Sequence, residues 1–121
     1  MNRPSHKELF NKIREAVSAI ADGRIAILNQ AAVAADAIEL GYVIDLELTE
    51  VLMELLDEVT PRHYAGTRPP QRSYEVDIQG IDIFPFLLES RRFNCRIYLK
   101  FALKDSFFWL VSLHQSKNLK E

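Results

Sequence analysis

The chain has 121 residues, 48% of them hydrophobic and 26% charged, with a formal net charge of -2. That length supports one domain around a single apolar core, and the apolar fraction excludes a largely disordered chain. No uninterrupted apolar run is longer than the five residues of Phe107 to Val111, and Cys95 is the lone cysteine, so neither a membrane helix nor a disulfide framework is expected.

The first helix is marked by Ser5-His6-Lys7-Glu8, the capping-box spacing in which a serine oxygen and a glutamate each satisfy a free backbone donor. Leu9, Ile13, Val17 and Ile20, with Phe10 alongside, then form one apolar stripe that Asp22-Gly23 terminates. An alanine-rich helix is expected from Asn29 or Gln30 to Leu40, ending at Gly41. A third is expected from about Leu46 to Val59, with Val51, Leu52, Leu55, Leu56 and Val59 inward and Glu47, Glu50, Glu54, Asp57 and Glu58 mainly outward. Thr60-Pro61 breaks it, because the residue before proline is pushed out of helical geometry.

Pro61 to Ser73 reads as an ordered loop carrying Gly66 and the pair Pro69-Pro70. Beyond it the period becomes alternating. Tyr74 to Gln79 and Ile81 to Glu89 are expected strands, the second interrupted by Pro85, which implies a sheet edge or a bulge. Asn94 to Lys104 is the clearest strand, and Phe107 to His114 follows a tight Asp105-Ser106 turn. Gln115 to Glu121 is polar and expected to fray. The expectation is an α+β domain: a helical part at 5–59 packed on a C-terminal antiparallel sheet of about four strands at 74–114. Met1 to Lys7 is followed by no signal-peptide core, so the expected setting is the cytoplasm.

Charge divides along the same line. Residues 1–61 carry five basic and eleven acidic residues, and residues 62–121 carry ten basic and six acidic. No basic residue lies between Ile25 and Pro61, and ten of the twelve aromatic residues fall beyond Pro61. Two readings follow. Acidic helices and basic strands neutralise one another, or the C-terminal part carries a basic, aromatic surface for nucleic acid.

The alternation of the third expected strand sets Ile97, Leu99, Phe101 and Leu103 against Arg96, Tyr98, Lys100 and Lys104. In the last, Trp109, Val111 and Leu113 alternate with Phe108, Leu110, Ser112 and His114. With the first set of each strand inward, Ser112 and His114 share a face with Tyr98 and Lys100. A two-residue turn pairs Ile97 with His114, whereas a three-residue turn pairs Tyr98 with His114. The second keeps the polar groups together and is the favoured register.

There is no Walker loop, dinucleotide glycine fingerprint, His-Glu-x-x-His or serine nucleophile elbow, and His6, His63 and His114 are too scattered to predict a metal site. The chemistry that these residue types suit is cofactor-free cleavage of RNA, which carries its own nucleophile in the 2'-hydroxyl. Such cleavage needs a base, an acid and cations. Arg96, Tyr98, Lys100 and His114 supply these on one strand face, while His63, Tyr64, Arg68 and Arg72 would line its edge and stack or hold RNA. Each has a plainer alternative. Tyr98 covers the sheet, Lys100 is an exposed strand lysine, His114 ends a strand, and His63 and Tyr64 pack the loop on the third helix.

The run Ile97-Tyr98-Leu99-Lys100-Phe101, followed by Trp109-Leu110-Val111-Ser112-Leu113-His114, resembles the last two strands of MqsR-type toxins, within the RelE-like ribonucleases of type II toxin-antitoxin systems. Glu39-Leu40-Gly41 resembles the family's acidic helix end, and His63-Tyr64 lies where the family has a Phe-Tyr pair. The likeness is discontinuous over residues 30–114. It implies a RelE-like fold and a metal-independent mRNA interferase restrained by an antitoxin, with the ribosome as a further candidate partner. It also implies Tyr98 and His114 as catalytic residues. Two departures stand out: the family lysine after the aromatic pair is Ala65 here, and its Trp-Gln-Asp-Val-Tyr segment is Arg72-Ser73-Tyr74-Glu75-Val76. Arg62, Arg68 or Arg72 would have to supply the missing cation. The alternative is a non-catalytic protein-interaction domain with the same fold.

Overall fold

A computed structural model describes residues 5–67 and 69–116. Helix α1 spans His6–Ala21, and both bonds of the Ser5 and Glu8 capping box form, at 3.1 and 2.8 Å. Helix α2 spans Gln30–Leu40; the Asn29 side chain accepts from the Ala32 amide, and Gly41 closes the helix in the left-handed region at φ 86°. Helix α3 spans Ile44–Glu58 and begins two residues before the expected start. It has no serine or threonine cap. Instead Glu47 Oε1 accepts the Val43 amide at 2.8 Å, a carboxylate satisfying a free first-turn donor.

The helices cover one face of a mixed four-stranded sheet in the order β1-β4-β3-β2, with β1 at Ile25–Ile27, β2 at Ile83–Ser90, β3 at Cys95–Lys104 and β4 at Phe107–Gln115. Three strands form an antiparallel meander, and β1 adds parallel to β4. The sheet is therefore not wholly antiparallel. Its parallel strand lies between the first two helices, where three apolar residues give too short a pattern to identify. The expected strand at Tyr74 to Gln79 is instead a loop with a 3-10 turn at Val76–Ile78. Its polar groups are satisfied locally: Ser73 Oγ accepts the Glu75 amide, and the Gly80 amide reaches the Ser73 carbonyl. Tyr74 and Val76 are both exposed, and Ile78 is buried. Gln115 closes β4 rather than opening a frayed tail, and residues 117–121 lie outside the described residues.

Pro85 lies on edge strand β2, as its missing donor requires. Its carbonyl points away from β3 and accepts the Ala65 amide at 2.9 Å, so no ladder bond is lost. The core is threaded by rings across the meander. Phe86 stacks on Phe101 at 5.7 Å, and Phe101 meets Phe108 at 5.0 Å.

Much of the charge division is resolved inside the fold. Arg92, in the β2–β3 turn, reaches Glu47 at 2.8 Å, Glu50 at 3.1 Å and Glu54 at 3.2 Å on α3, while Arg91 holds Glu58 at 2.7 Å. Partial burial opposes the charge on Arg92, but hydrogen bonds to Glu54 and Glu50 outweigh it and raise its pKa. The clamp ties the turn to the helix in register with Phe93, which packs on Tyr42. Arg92→Ala leaves three carboxylates facing one another and is expected to cost about 1 kcal/mol in urea unfolding at low salt. The loss should shrink near about 1 M salt, where screening weakens the network.

Among the described residues, the Tyr42 hydroxyl is a buried polar atom without a hydrogen-bond partner. Burial, with a smaller contribution from the Asp36 carboxylate, pushes its pKa up from 10.0 to about 12. The folded state thus holds this proton more tightly than the unfolded chain. Its contribution is fully present below pH 10.0 and is lost as pH rises through about 12. Alkaline titration of the unfolding free energy should show a fall of about 2–3 kcal/mol from this group. Tyr42→Phe should remove that component and match or exceed the parent's stability at neutral pH, because no hydrogen bond is lost.

Candidate functional site

The face of the sheet turned away from the helices is ordered by one irregularity in β4. The Asp105-Ser106 turn is a two-residue loop, with Lys104 opposite Phe107 and both loop residues at positive φ, 54° and 68°. A regular ladder from that turn would set His114 against Ile97. The observed partner is Tyr98, because Lys100 pairs with Ser112 and Phe101 with Leu110, leaving Val111 as an extra residue in a β-bulge. The favoured register is thus present, reached by a bulge rather than a longer turn. The bulge also shifts the phase. Phe108 and Leu110 are buried in the core before it and Leu113 after it, whereas Trp109, Ser112 and His114 face outward. The inward placement of Trp109 and Val111 expected from alternation is corrected accordingly.

Outward from β3 stand Arg96, Tyr98 and Lys100. The Tyr98 and His114 rings lie 5.2 Å apart at 32°, and Lys100 Nζ sits 5.8 Å from the Tyr98 ring centre. The His114 Nδ1 lies 3.0 Å from the Gln115 carbonyl. A carbonyl only accepts, so the neutral ring carries its proton on Nδ1 and presents an unprotonated Nε2. Trp109, opposite Ala102, stands on the same outer face, beyond the row of Lys100 and Ser112. Its outward face was hidden in the sequence because alternation counted back from Leu113 crosses the bulge.

The loop after α3 borders this strip along β2. A cavity of about 710 Å³ is lined by Arg62, His63, Tyr64, Ala65, Glu89 and Arg96, among others. On the other side of Ala65, a cavity of about 100 Å³ is lined by Gly66, Thr67, Pro85, Tyr98 and Lys100, among others. His63 and Tyr64 thus come beside Arg96, but both have local duties. His63 Nδ1 accepts the Thr60 amide at 2.9 Å, which places the neutral ring's proton on Nε2. The Tyr64 hydroxyl donates to the Thr67 carbonyl at 2.8 Å, and its ring meets the edge of Phe86. Arg96 is paired with Glu89 at 3.3 Å, and Arg72 with Asp82 at 3.6 Å. Arg72 is not among the residues lining either cavity. Arg68 lies outside the described residues. Among the described residues, Arg62 and Lys100 form no ion pair, and Arg62 lies in the cavity that Ala65 also lines. No cluster of three or more His, Cys, Asp or Glu suited to a metal ion occurs among the described residues. None of their helices is long and apolar enough to cross a membrane.

No protein-family profile, curated protein or solved structure matches the chain.

The strap at 64–67 depends on Gly66, where a Cβ would collide with the Tyr64 ring and with Pro85. Gly66→Ala is expected to displace the strap and cost about 1–3 kcal/mol, the usual range for overpacking. Faster hydrogen exchange at the Ala65 amide, which donates to Pro85, would report the displacement.

Proposed function

We propose that the outer sheet face cleaves single-stranded RNA by internal transesterification. The observation that carries this reading is the placement of His114, whose Nδ1 lies 3.0 Å from the Gln115 carbonyl and so leaves Nε2 to face a substrate, beside a phenol and a lysine ammonium. In this reaction Nε2 removes the 2'-hydroxyl proton as the 2'-oxygen bonds to phosphorus. The bond from phosphorus to the 5'-oxygen breaks, and the Tyr98 phenol protonates the leaving oxygen. Lys100 opposes the charge that develops on the phosphorane, and Arg62 and Arg96 hold the flanking backbone. The products are a 2',3'-cyclic phosphate and a 5'-hydroxyl. Trp109 offers a ring for base stacking. The resemblance to MqsR-type toxins supports the same chemistry, with mRNA as substrate, and brings with it an antitoxin partner and the ribosome as a candidate setting.

The competing reading is a non-catalytic interaction domain. It is favoured by the internal pairing of Arg72, Arg91, Arg92 and Arg96, which leaves a smaller free basic surface than the sequence offers. Cleavage of single-stranded RNA in the presence of EDTA, with cyclic-phosphate ends, separates the two. His114→Ala and Tyr98→Phe are each expected to slow cleavage by about 10²-fold or more, and Lys100→Ala by a similar factor. Unchanged cleavage in the Tyr98→Phe, His114→Ala double variant would remove the assignment.

A further inference from the structure

The two edges of the sheet are treated differently. The β2 edge is closed by Pro85 and by the loop, through Ala65 bonded to Pro85, the Ile83 amide bonded to Gln71, and bridges from Tyr64 to Phe86 and from Arg72 to Asp82. The β1 edge has none of these devices. Phe108 donates to the Arg24 carbonyl and Leu28 donates to the Leu110 carbonyl, so in this parallel ladder Arg24, Ala26 and Leu28 turn their polar groups toward β4. The amides and carbonyls of Ile25 and Ile27 therefore point away from the sheet. No described backbone group outside β4 pairs with β1. Ile25–Ile27 itself carries no charge, proline or bulge, the usual means of blocking a further strand, and the flanking Arg24 side chain is held by Asp22 and the Ser106 carbonyl.

Beside that edge lies a groove of about 420 Å³ lined by Ile27, Ile38, Tyr42, Val43, Ile44 and Asp45, among others. Ile38 is 80% exposed, Val43 53%, and the neighbouring Leu46 83%. Tyr42, at the same groove, is 5% exposed and holds the hydroxyl that has no partner among the described residues. The unpaired charge beside the groove is acidic: Asp45 lines it, and Asp36 lies near enough to Tyr42 to act on its hydroxyl. Asp36 and Asp45 form no ion pair with a described residue.

The geometry points to a docking site for an extended segment of a partner protein, alternating apolar and basic residues, that adds to the sheet beside β1. Backbone bonds to Ile25 and Ile27 would supply affinity, the groove would take the apolar side chains, and the acidic rim would select lysine or arginine. Two further occupants are disfavoured by charge. A second copy joined edge to edge would bring the unpaired Asp36 and Asp45 of both copies together, and nucleic acid would meet the same carboxylates.

The test uses the full chain and a synthetic octapeptide of alternating lysine and isoleucine. Its control is the same peptide with backbone N-methyl groups on every second residue, so that side chains and charge are unchanged. The unmodified peptide is expected to slow hydrogen exchange at the Ile25 and Ile27 amides by about tenfold or more, and the N-methylated peptide to bind at least about tenfold more weakly. Ile38→Lys and Leu46→Lys, at exposed positions that the fold does not need, should each weaken binding. Equal binding of the N-methylated peptide, no binding at all, or protection at β2 instead of β1 would overturn the proposal. So would a dimer of the free chain that already protects Ile25 and Ile27.

Discussion

A strictly alternating strand cannot bury Phe108, Leu110 and Leu113 on one face, yet all three lie in the core. The extra residue at Val111 removes the conflict by shifting the phase of β4 once, between Leu110 and Ser112. Before the shift, Phe108 meets Phe101 and completes the row of rings across the meander. After it, Leu113 stays buried and His114 turns out beside Tyr98. The same irregularity therefore completes the core and assembles the outer face. Without it, His114 would stand opposite Ile97, whose side chain is buried, and its imidazole would enter the core with no polar partner supplied by that strand.

The edges complete this arrangement. On β2 the need to cover a proline-bearing edge brings the Tyr64–Thr67 strap across the strand, and the strap divides the surface near Tyr98 and Lys100 into two cavities that share Ala65. Gly66 allows the strap to lie against the Tyr64 ring and Pro85. Edge protection and site construction are thus one feature of the fold at β2. At β1, where no comparable cover exists, the sheet keeps hydrogen-bonding capacity beside an apolar, acidic-rimmed groove.

The net charge of -2 takes on a spatial meaning from this pairing. Arg91 and Arg92 close over the acidic face of α3, Arg96 meets Glu89 and Arg72 meets Asp82. The neutralising reading of the charge division accounts for these four arginines. Among the described residues without an ion pair, Lys100 lies over Tyr98 and Arg62 lines the cavity beyond the strap. Exposed surface pairs remain open to exchange, because their attraction in water is weak and phosphate can compete for the guanidinium.

The helices were legible from local chemistry. The Ser5 and Glu8 box, Asn29, Gly41 and Pro61 act within a turn of the backbone they cap or break, and Pro85 on an edge strand follows from one missing donor. The polar set Arg96, Tyr98 and Lys100 was also visible, since alternation along one strand is a local rule. Three matters were decided only by tertiary structure. Strand β1 exists because Ile25–Ile27 finds β4 more than eighty residues away, and Tyr74–Gln79 is a loop because its polar groups close on one another with no strand beside them. The face taken by Trp109 and His114 depends on a bulge that buries Leu110 and Leu113 together. Local sequence specifies backbone preference and which side chains alternate; which face wins depends on the summed burial of distant apolar residues, and a one-residue phase shift leaves no mark in composition or period.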